Sequence, residues 1–365
     1  RLAVLSSGDL DQVTAGGTGA AASPGEAPLP PLTAEATTSA QAPSAAAPPA
    51  ATSAQEPAPA NRAEGANEGN APAKPGEVDV VEEEIDRALE RTLVQTGALL
   101  LPLGQAEVEP YFSYTRRENS APVLAAIGGV PAGAEVDIRR DEFVNGQVLR
   151  FGLPFDSQVE FDMPYRMVKQ STVTKVGFRE QDETDHFGHG IGDLSVGLAK
   201  TLVREDGHWW PDLIGRITWD ADTGKTTSND VPLGGGFNEL RGSLSAVKRQ
   251  DPLAFIGGVS YETTFENNDI KPGDALGFSI GTVLAASPGT SLRLALDQTF
   301  IDGSQVDGEG INGSDSVIGT ATLGASVVLG RGVLLDVTAD IGLTDDAPDY
   351  AARASLPIRF NLPIY

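Results

Sequence analysis

The stretch VLLDVTADI, at positions 333–341, alternates between two kinds of residue. Val333, Leu335 and Val337 occupy one phase of the alternation, and Asp336 and Asp340 occupy the other. Successive side chains of a β-strand point to opposite faces, so this stretch predicts a strand with one apolar face and one polar face.

The same alternation recurs along most of the chain after position 104. It marks about twelve segments, each near the length that a tilted strand needs to cross a bilayer. In chain order these segments are 107–117, 137–151, 158–169, 192–203, 212–220, 239–249, 253–263, 275–286, 292–297, 317–329, 333–341 and 356–364. No helical pattern of useful length interrupts them, which excludes α/β enzyme folds.

Turn-forming residues separate these segments. Asn145-Gly146, Asp251-Pro252 and Ser287-Pro288-Gly289 predict tight turns, whereas 221–237 and 302–316 predict longer polar loops. Tight turns at one end and long loops at the other are typical of outer-membrane barrels. We therefore expect residues 104–365 to form an all-β, transmembrane antiparallel β-barrel of about twelve strands.

Charged residues occupy the polar phase of many segments, and we expect them to line a water-filled lumen, where they stay hydrated. The predicted lumen-lining residues are Glu107, Glu109, Arg139, Arg150, Glu160, Asp162, Arg216, Arg241, Arg293, Asp297, Asp336 and Arg359. Aromatic residues near strand ends, such as Trp219, Tyr261 and Phe300, fit the girdles of a membrane barrel. A soluble β-sandwich or ligand-binding barrel is the alternative, although such folds bury more large apolar residues than this chain offers.

The first part of the chain differs in composition. Residues 18–77 are mostly Ala, Pro, Gly, Ser and Thr without any aromatic residue, and they predict a disordered linker, which we place in the periplasm. Residues 1–17 combine a short amphipathic pattern with Gly16-Gly17. This combination is similar to the double-glycine leaders that bacterial cysteine peptidases cleave, and a frayed amphipathic end is the alternative.

Residues 78–103 contain the one convincing helical pattern, which we expect to be helical from Val78 to Leu101. Apolar residues recur there at helical spacing, and Pro102 and Gly104 follow. A single helix with one apolar stripe must bury that stripe on another chain or on the barrel. We predict that it plugs the pore through Glu82, Glu83, Glu84, Ile85, Arg87, Leu89, Arg91 and Leu93.

Composition excludes several classes of function. A net charge of −25 argues against a nucleic-acid partner, because phosphate binding needs clustered Lys and Arg. His186 and His189 could chelate a metal together only on a helix, and Gly188 and Gly190 predict a loop. We therefore expect no metal, no cofactor and no enzymatic activity. The loops are short to moderate in length, acidic and Gly-rich, which favours a channel over an adhesin, since an adhesin would need long loops with apolar or aromatic anchors.

Two motifs resemble a known family. Residues 151–166 (FGLPFDSQVEFDMPYR) and 188–198 (GHGIGDLSVGL) resemble strands of the outer-membrane transporter group that includes phenol-degradation-associated porins. Within that group, an Ala/Pro-rich arm leading into an acidic helix resembles the secretion channel of the Fap functional-amyloid system.

The resemblance to the Fap channel implies a homotrimer of twelve-stranded barrels in the bacterial outer membrane, each plugged by its N-terminal helix. It implies export of unfolded amyloid subunits for biofilm, with a periplasmic double-glycine-type cysteine protease as a further partner. That family also has a periplasmic coiled coil, whereas residues 1–77 contain no sustained heptads. The alternative function is a porin for uptake of small or aromatic compounds.

Overall fold

The computed structural model describes residues 4–5, 82–127, 130–176, 179–205, 209–330 and 332–363. The predicted leader at 1–17 and linker at 18–77 lie outside these residues, apart from Val4 and Leu5. Within the described ranges, no helix has both the length and the apolar character that a membrane crossing requires.

The described residues form one helix, α1 (Glu82–Gln95), and twenty strands. The strands are β1 (Val4–Leu5), β2 (Gln105–Ile127), β3 (Val130–Leu153), β4 (Ser157–Val176), β5 (Arg179–Ile191), β6 (Leu194–Val203), β7 (Asp212–Ala221), β8 (Thr227–Ser228), β9 (Val231–Pro232), β10 (Glu239–Gln250), β11 (Leu253–Thr264), β12 (Ile270–Lys271), β13 (Ala275–Ser287), β14 (Thr290–Ile301), β15 (Gln305–Val306), β16 (Glu309–Gly310), β17 (Ser316–Gly330), β18 (Val333–Gly342), β19 (Tyr350–Ser355) and β20 (Ile358–Asn361).

Twelve strand positions close into one antiparallel barrel. β2 is hydrogen-bonded to β3 on one side and to β19 and β20 on the other, and this pairing closes the sheet. β5 and β6 share one position beside β4, and β19 and β20 share another beside β18. The predicted all-β barrel of about twelve strands is confirmed, and closure leaves its strands without a free edge within the barrel.

The two ends of the barrel differ. One end, which we call the short-turn end, connects its strands through tight turns at 154–156, 251–252 and 288–289. The opposite end, which we call the long-loop end, connects them through 222–238, 265–274, 302–315 and 343–349. The alternation of tight turns and long polar loops predicted this asymmetry.

Beyond the rim of the barrel, β2 to β5 continue as a four-stranded blade at the long-loop end. The pairing of β2 with β19 ends at Arg116 and Tyr350, whereas the pairing of β2 with β3 runs on to Ile127. β1 pairs in parallel with the blade at Leu124 and Ala125. Val4 and Leu5 therefore lie at the end of the barrel opposite to the start of β2.

The loop 222–238 covers the inner face of this blade. Val231 and Leu233 pack against Val168 of β4, and all three are buried. Arg140 donates a hydrogen bond to the Pro232 carbonyl at 2.9 Å, and Arg166 contacts the Leu233 carbonyl in the same way. The loop is thus held inward rather than extended into solvent.

Two strand predictions were wrong. Asn145-Gly146 was predicted as a turn but lies inside β3. Gly146 faces Tyr111 there, and the absence of a side chain on the glycine leaves room for the tyrosine ring. The segment that contains His186 and His189 was predicted as a loop, because of Gly188 and Gly190, but it lies within β5. Both faces of this strand carry polar residues, so the alternation of apolar and polar residues could not identify it.

The helix is shorter than predicted. It ends at Gln95 instead of Leu101, because Gly97 adopts a left-handed backbone conformation, with φ at 69°. The amide of Gly97 still bonds the Val94 carbonyl at 3.0 Å, which closes the last turn. Residues 98–104 then cross to β2 without regular structure.

Candidate functional site

The inner face of the barrel carries most of the charges predicted to line the lumen. Inward and outward positions alternate along each strand, and the inward ones are buried or half-buried. The predicted residues that face inward are Glu107, Glu109, Arg150, Glu160, Asp162, Arg216, Arg241, Arg293, Asp297, Asp336 and Arg359.

Arg139 is the exception, and its predicted position was wrong. It lies opposite Glu118 on the outer face of the blade, where the Nε–Oε2 distance is 3.4 Å. Arg140, the next residue of β3, faces inward instead. Residues 139–142 are all charged, so an alternating pattern could not tell which of them faces the lumen.

A network of ion pairs lines the lumen near the short-turn end, and we call it the charged wall. Arg150 Nη1 lies 2.8 Å from Glu107 Oε1 and 2.5 Å from Glu109 Oε2. Arg359 and Arg353 reach the same two carboxylates from the other side, at 2.8 and 3.1 Å respectively. Each buried carboxylate therefore contacts two guanidinium groups, which offsets the cost of removing it from water.

The charged wall continues onto the neighbouring strands. Arg216 of β7 lies 3.0 Å from Glu160, which also accepts a hydrogen bond from Gln158. Tyr111 donates to Asp162, and the Arg353 guanidinium lies 4.0 Å from the centre of the Tyr111 ring. These contacts fix the charged side chains against the barrel wall.

The wall formed by β10, β11 and β13 is different. Its inward residues at the short-turn end are Val247, Ala254, Ile256, Val283 and Ala285, and we call this group the apolar patch. Four of the five are 5% exposed or less. The lumen therefore has one charged side and one apolar side at this level.

α1 lies inside the barrel and covers the apolar patch. Leu89, Leu93 and Ala98 form one buried cluster with the patch, and the exposed fraction of each is 2% or less. Fully burying a leucine side chain contributes about 1.5–3 kcal/mol. The predicted contact between the apolar stripe of the helix and the barrel wall is therefore present for Leu89 and Leu93.

For the other predicted plug residues, the structure describes fewer side-chain contacts. Glu82, Glu83, Glu84, Ile85 and Arg87 lie within α1, but their side chains fall outside the described part of the structure. Arg91 is half-buried, and it has no ion pair with any residue that the structure describes.

Polar contacts tether the chain on both sides of Gly97. The side-chain amide of Gln95 lies 3.5 Å from Ser355 Oγ, and the backbone amide of Leu101 donates a hydrogen bond to Gln158 Oε1 at 2.7 Å. Arg216 Nη2 lies 3.4 Å from the Gly97 carbonyl, so the same guanidinium contacts the end of the helix and Glu160. The charged wall thus contacts the end of α1.

Sequence reasoning missed the apolar patch and Arg353. In β19, Arg353 stands between Ala352 and Ala354, so the alternation of apolar and polar residues could have identified it as a lumen residue. The patch has a weaker signal, because both phases become apolar at the same end of three neighbouring strands, as in Ala246-Val247, residues 254–256 and residues 283–285. That coincidence has meaning only once the strands are known to be adjacent.

The histidines do not form a metal site with each other. His186 and His189 lie on opposite faces of β5, and His189 Nδ1 lies 2.8 Å from the Tyr165 hydroxyl on the outer surface. Within the described residues, no group of three or more His, Asp or Glu side chains is arranged to hold a metal ion.

No family model matches the sequence. Among solved structures, the chain is similar to an outer membrane channel from Pseudomonas putida F1, with a TM-score of 0.55, 15% sequence identity, and coverage of 72% of this chain and 97% of that one. The toluene transporter TbuX from Ralstonia pickettii gives a TM-score of 0.35 and 11% identity, with coverage of 72% and 90%. The transport unit of the autotransporter AIDA-I from Escherichia coli gives 0.37 and 11%, with coverage of 77% and 99%.

The last two TM-scores are too low to support an argument. The first establishes the fold, since the likeness extends over almost the whole of the Pseudomonas channel. The chain therefore has the fold of an outer-membrane channel.

Proposed function

We propose that the chain is a bacterial outer-membrane channel for small compounds and that α1 closes its lumen. One observation carries the proposal: a charged, water-compatible lumen is surrounded by an apolar outer surface, and a helix is docked inside. The fold of the Pseudomonas channel supports it.

The outer surface of the barrel supports the membrane location. Large apolar side chains project outward from the middle of the strands, among them Ile280, which is 66% exposed, and Leu296, which is 49% exposed. Such an extensive exposed apolar surface is unfavourable in water and favourable in lipid. Exposed aromatic residues flank it: Tyr165, Trp219, Tyr261, Phe300 and Tyr350 toward the long-loop end, and Phe155, Trp209, Trp210, Phe255 and Phe360 toward the short-turn end.

The turn lengths indicate the orientation. Outer-membrane barrels have short turns on the periplasmic side and long loops on the cell surface. The short-turn end, where α1 is docked, would then face the periplasm. Val4 and Leu5 would then lie at the cell surface, on the opposite side of the membrane from the periplasmic location predicted for the N-terminal linker.

The lumen supports conduction without tight binding. Its carboxylates and guanidiniums neutralise one another at the charged wall, so a passing solute meets polar groups that already have partners. Opening requires α1 to leave the apolar patch. The burial of Leu89 and Leu93 gives an undocking cost of several kcal/mol, which keeps the closed state populated but reversible.

Single-channel conductance in a planar bilayer tests this function. We would compare the full chain with Leu93→Asp, which places a charge on the apolar patch, and with a chain lacking residues 1–103. Both changes should convert low, intermittent current into larger and steadier current. Glu90→Gln is the matched control, because Glu90 is exposed on the same helix, and it should conduct like the unmodified chain. Failure of all four proteins to conduct after insertion would contradict the proposal.

Export of an unfolded polypeptide is the second candidate function. It is supported by the presence of a non-helical stretch of chain, residues 98–104, beside the charged wall, since a lumen that accommodates its own extended chain could accommodate another. The resemblance to the Fap channel supports the same candidate and adds a homotrimer. Current blockades by an unfolded Gln/Asn-rich peptide in the Leu93→Asp channel would support export. Cross-linking in detergent would test the trimer.

A further inference from the structure

The apolar patch occupies an unusual place in the lumen. On the charged wall, inward positions at the same end carry paired Glu and Arg residues, whereas the patch offers only aliphatic side chains. In an open channel without α1, this surface would face the lumen. An apolar surface of this kind binds apolar molecules in preference to water.

Between the patch and the long-loop end, the middle of β10, β11 and β13 presents no charged side chain to the lumen, and Arg216 of β7 and Asp297 of β14 flank this stretch. Its inward residues on β10, β11 and β13 include Ser243, Ser245, Gly258, Ser260, Ser279 and Gly281. These side chains are short or absent, so the wall itself projects little into the lumen. The first ion pair above it joins Arg241 to Glu262 near the long-loop end. A small uncharged molecule could follow this wall from the long-loop end to the patch.

The helix shows what kind of group the patch accepts. Leu89 and Leu93 are fully buried against it, with exposed fractions of 1% and 0%. Two leucine side chains and a small aromatic molecule are of similar size and hydrophobicity, and they would need the same surface. The helix and the solute cannot occupy it together.

We propose that the apolar patch is a binding site for small apolar or aromatic solutes and that such a solute competes with Leu89 and Leu93 of α1 for it. The solute would then open its own channel, because each binding event stabilises the undocked state of the helix. This inference rests on the proposed channel function, and it adds the class of solute and the cause of opening.

The test uses the full chain in planar bilayers with p-xylene as the probe. p-Xylene should raise the open probability in a saturable way. Val283→Ser introduces a hydroxyl into the patch and weakens its contact with the helix as well. Its effect is therefore measured in the Leu93→Asp background, where the dissociation constant of p-xylene should rise about tenfold. Val148→Ser in the same background is the matched control, since Val148 is a buried, inward-facing valine of β3 outside the patch, and it should bind p-xylene as Leu93→Asp alone does.

A direct binding measurement separates competition from an effect on the lipid. Saturation-transfer NMR in detergent would give the affinity for p-xylene in the full chain and in Leu93→Asp. Because the helix no longer occupies the patch, Leu93→Asp should bind p-xylene at least about tenfold more tightly. Equal affinities of the full chain and Leu93→Asp, or equal affinities of Val283→Ser and Val148→Ser in the Leu93→Asp background, would overturn the inference.

The outcomes also distinguish the two proposals. If Leu93→Asp conducts steadily but p-xylene neither binds nor changes opening, the channel function stands and the solute site is wrong. If neither Leu93→Asp nor the chain lacking residues 1–103 conducts, the channel function and the inference fail together.

Discussion

Arg359 on β20, the last strand of the barrel, forms an ion pair with Glu107 on β2, the first strand. Its Nε and Nη2 atoms lie 3.0 and 2.8 Å from Glu107 Oε2, across the seam between β20 and β2. Glu107 also accepts a hydrogen bond from Arg150 at 2.8 Å and is 1% exposed. A buried carboxylate between two guanidinium groups therefore stabilises the pairing of β20 with β2.

Glu107→Gln should destabilise the barrel by about 3–5 kcal/mol, because it removes the ion pair of Arg359 and one of the two buried carboxylates that Arg150 contacts. Urea titration of the protein in detergent micelles would measure the loss. Asp185→Asn is the control, since Asp185 pairs with Lys169 on the outer surface and both side chains are about half exposed. Its effect should stay below about 1 kcal/mol, and equal losses would contradict the role of the seam.

Gly146→Ala should destabilise the barrel by about 1–3 kcal/mol, because a methyl group at position 146 would overlap the Tyr111 ring. The same titration would measure the change. Gly242→Ala provides the matched comparison, since Gly242 lies within β10 and a methyl group there meets no atom within 4 Å. If both substitutions behave alike, the Tyr111 contact does not explain Gly146.

Gly97→Ala should loosen the plug without weakening the barrel. Its left-handed backbone would cost about 1–2 kcal/mol for alanine, and the new methyl group would lie 2.8 Å from the Arg216 guanidinium. We expect about a tenfold rise in open probability, with unchanged urea unfolding. Gly330→Ala, a strand position with open space around it, should alter neither quantity. Unchanged gating in Gly97→Ala would contradict the docking of the helix end.

Val231→Asp should release the loop 222–238 from the inner face of the blade, because an unpaired charge cannot remain buried beside Val168 and Leu233. Trypsin should then cleave after Lys225 at least about tenfold faster, since cleavage follows the opened population. Thr227→Ala, an exposed change in the same loop, should leave the rate unchanged. Equal rates in all three proteins would show that the buried valine does not hold the loop.

Much of the barrel could be predicted from the sequence because its determinant is local. Side chains of a strand alternate between two faces, so a segment such as 333–341 carries the evidence for its own strand. Where both faces have the same polarity, that evidence is lost. This loss explains why the alternation did not identify β5 and why Arg139 was assigned to the lumen instead of Arg140.

The candidate site needed the tertiary structure because its parts are distant in the chain. The helical spacing of Leu89 and Leu93 predicted an apolar stripe, but nothing near them in sequence identifies Val247, Ala254 and Val283 as the surface that the stripe covers.

The sequence by itself determined most of the barrel strands, most of the lumen charges and the existence of one helix in need of a partner, since each follows from the periodicity of neighbouring residues. Only the tertiary structure decided that Glu107 closes the seam with Arg359 and that the helix lies on the uncharged side of the lumen. The first relationship depends on closure of the sheet, which brings the first and last strands to contact distance. The second depends on the packing of the helix inside the barrel against strands that lie far from it in the chain.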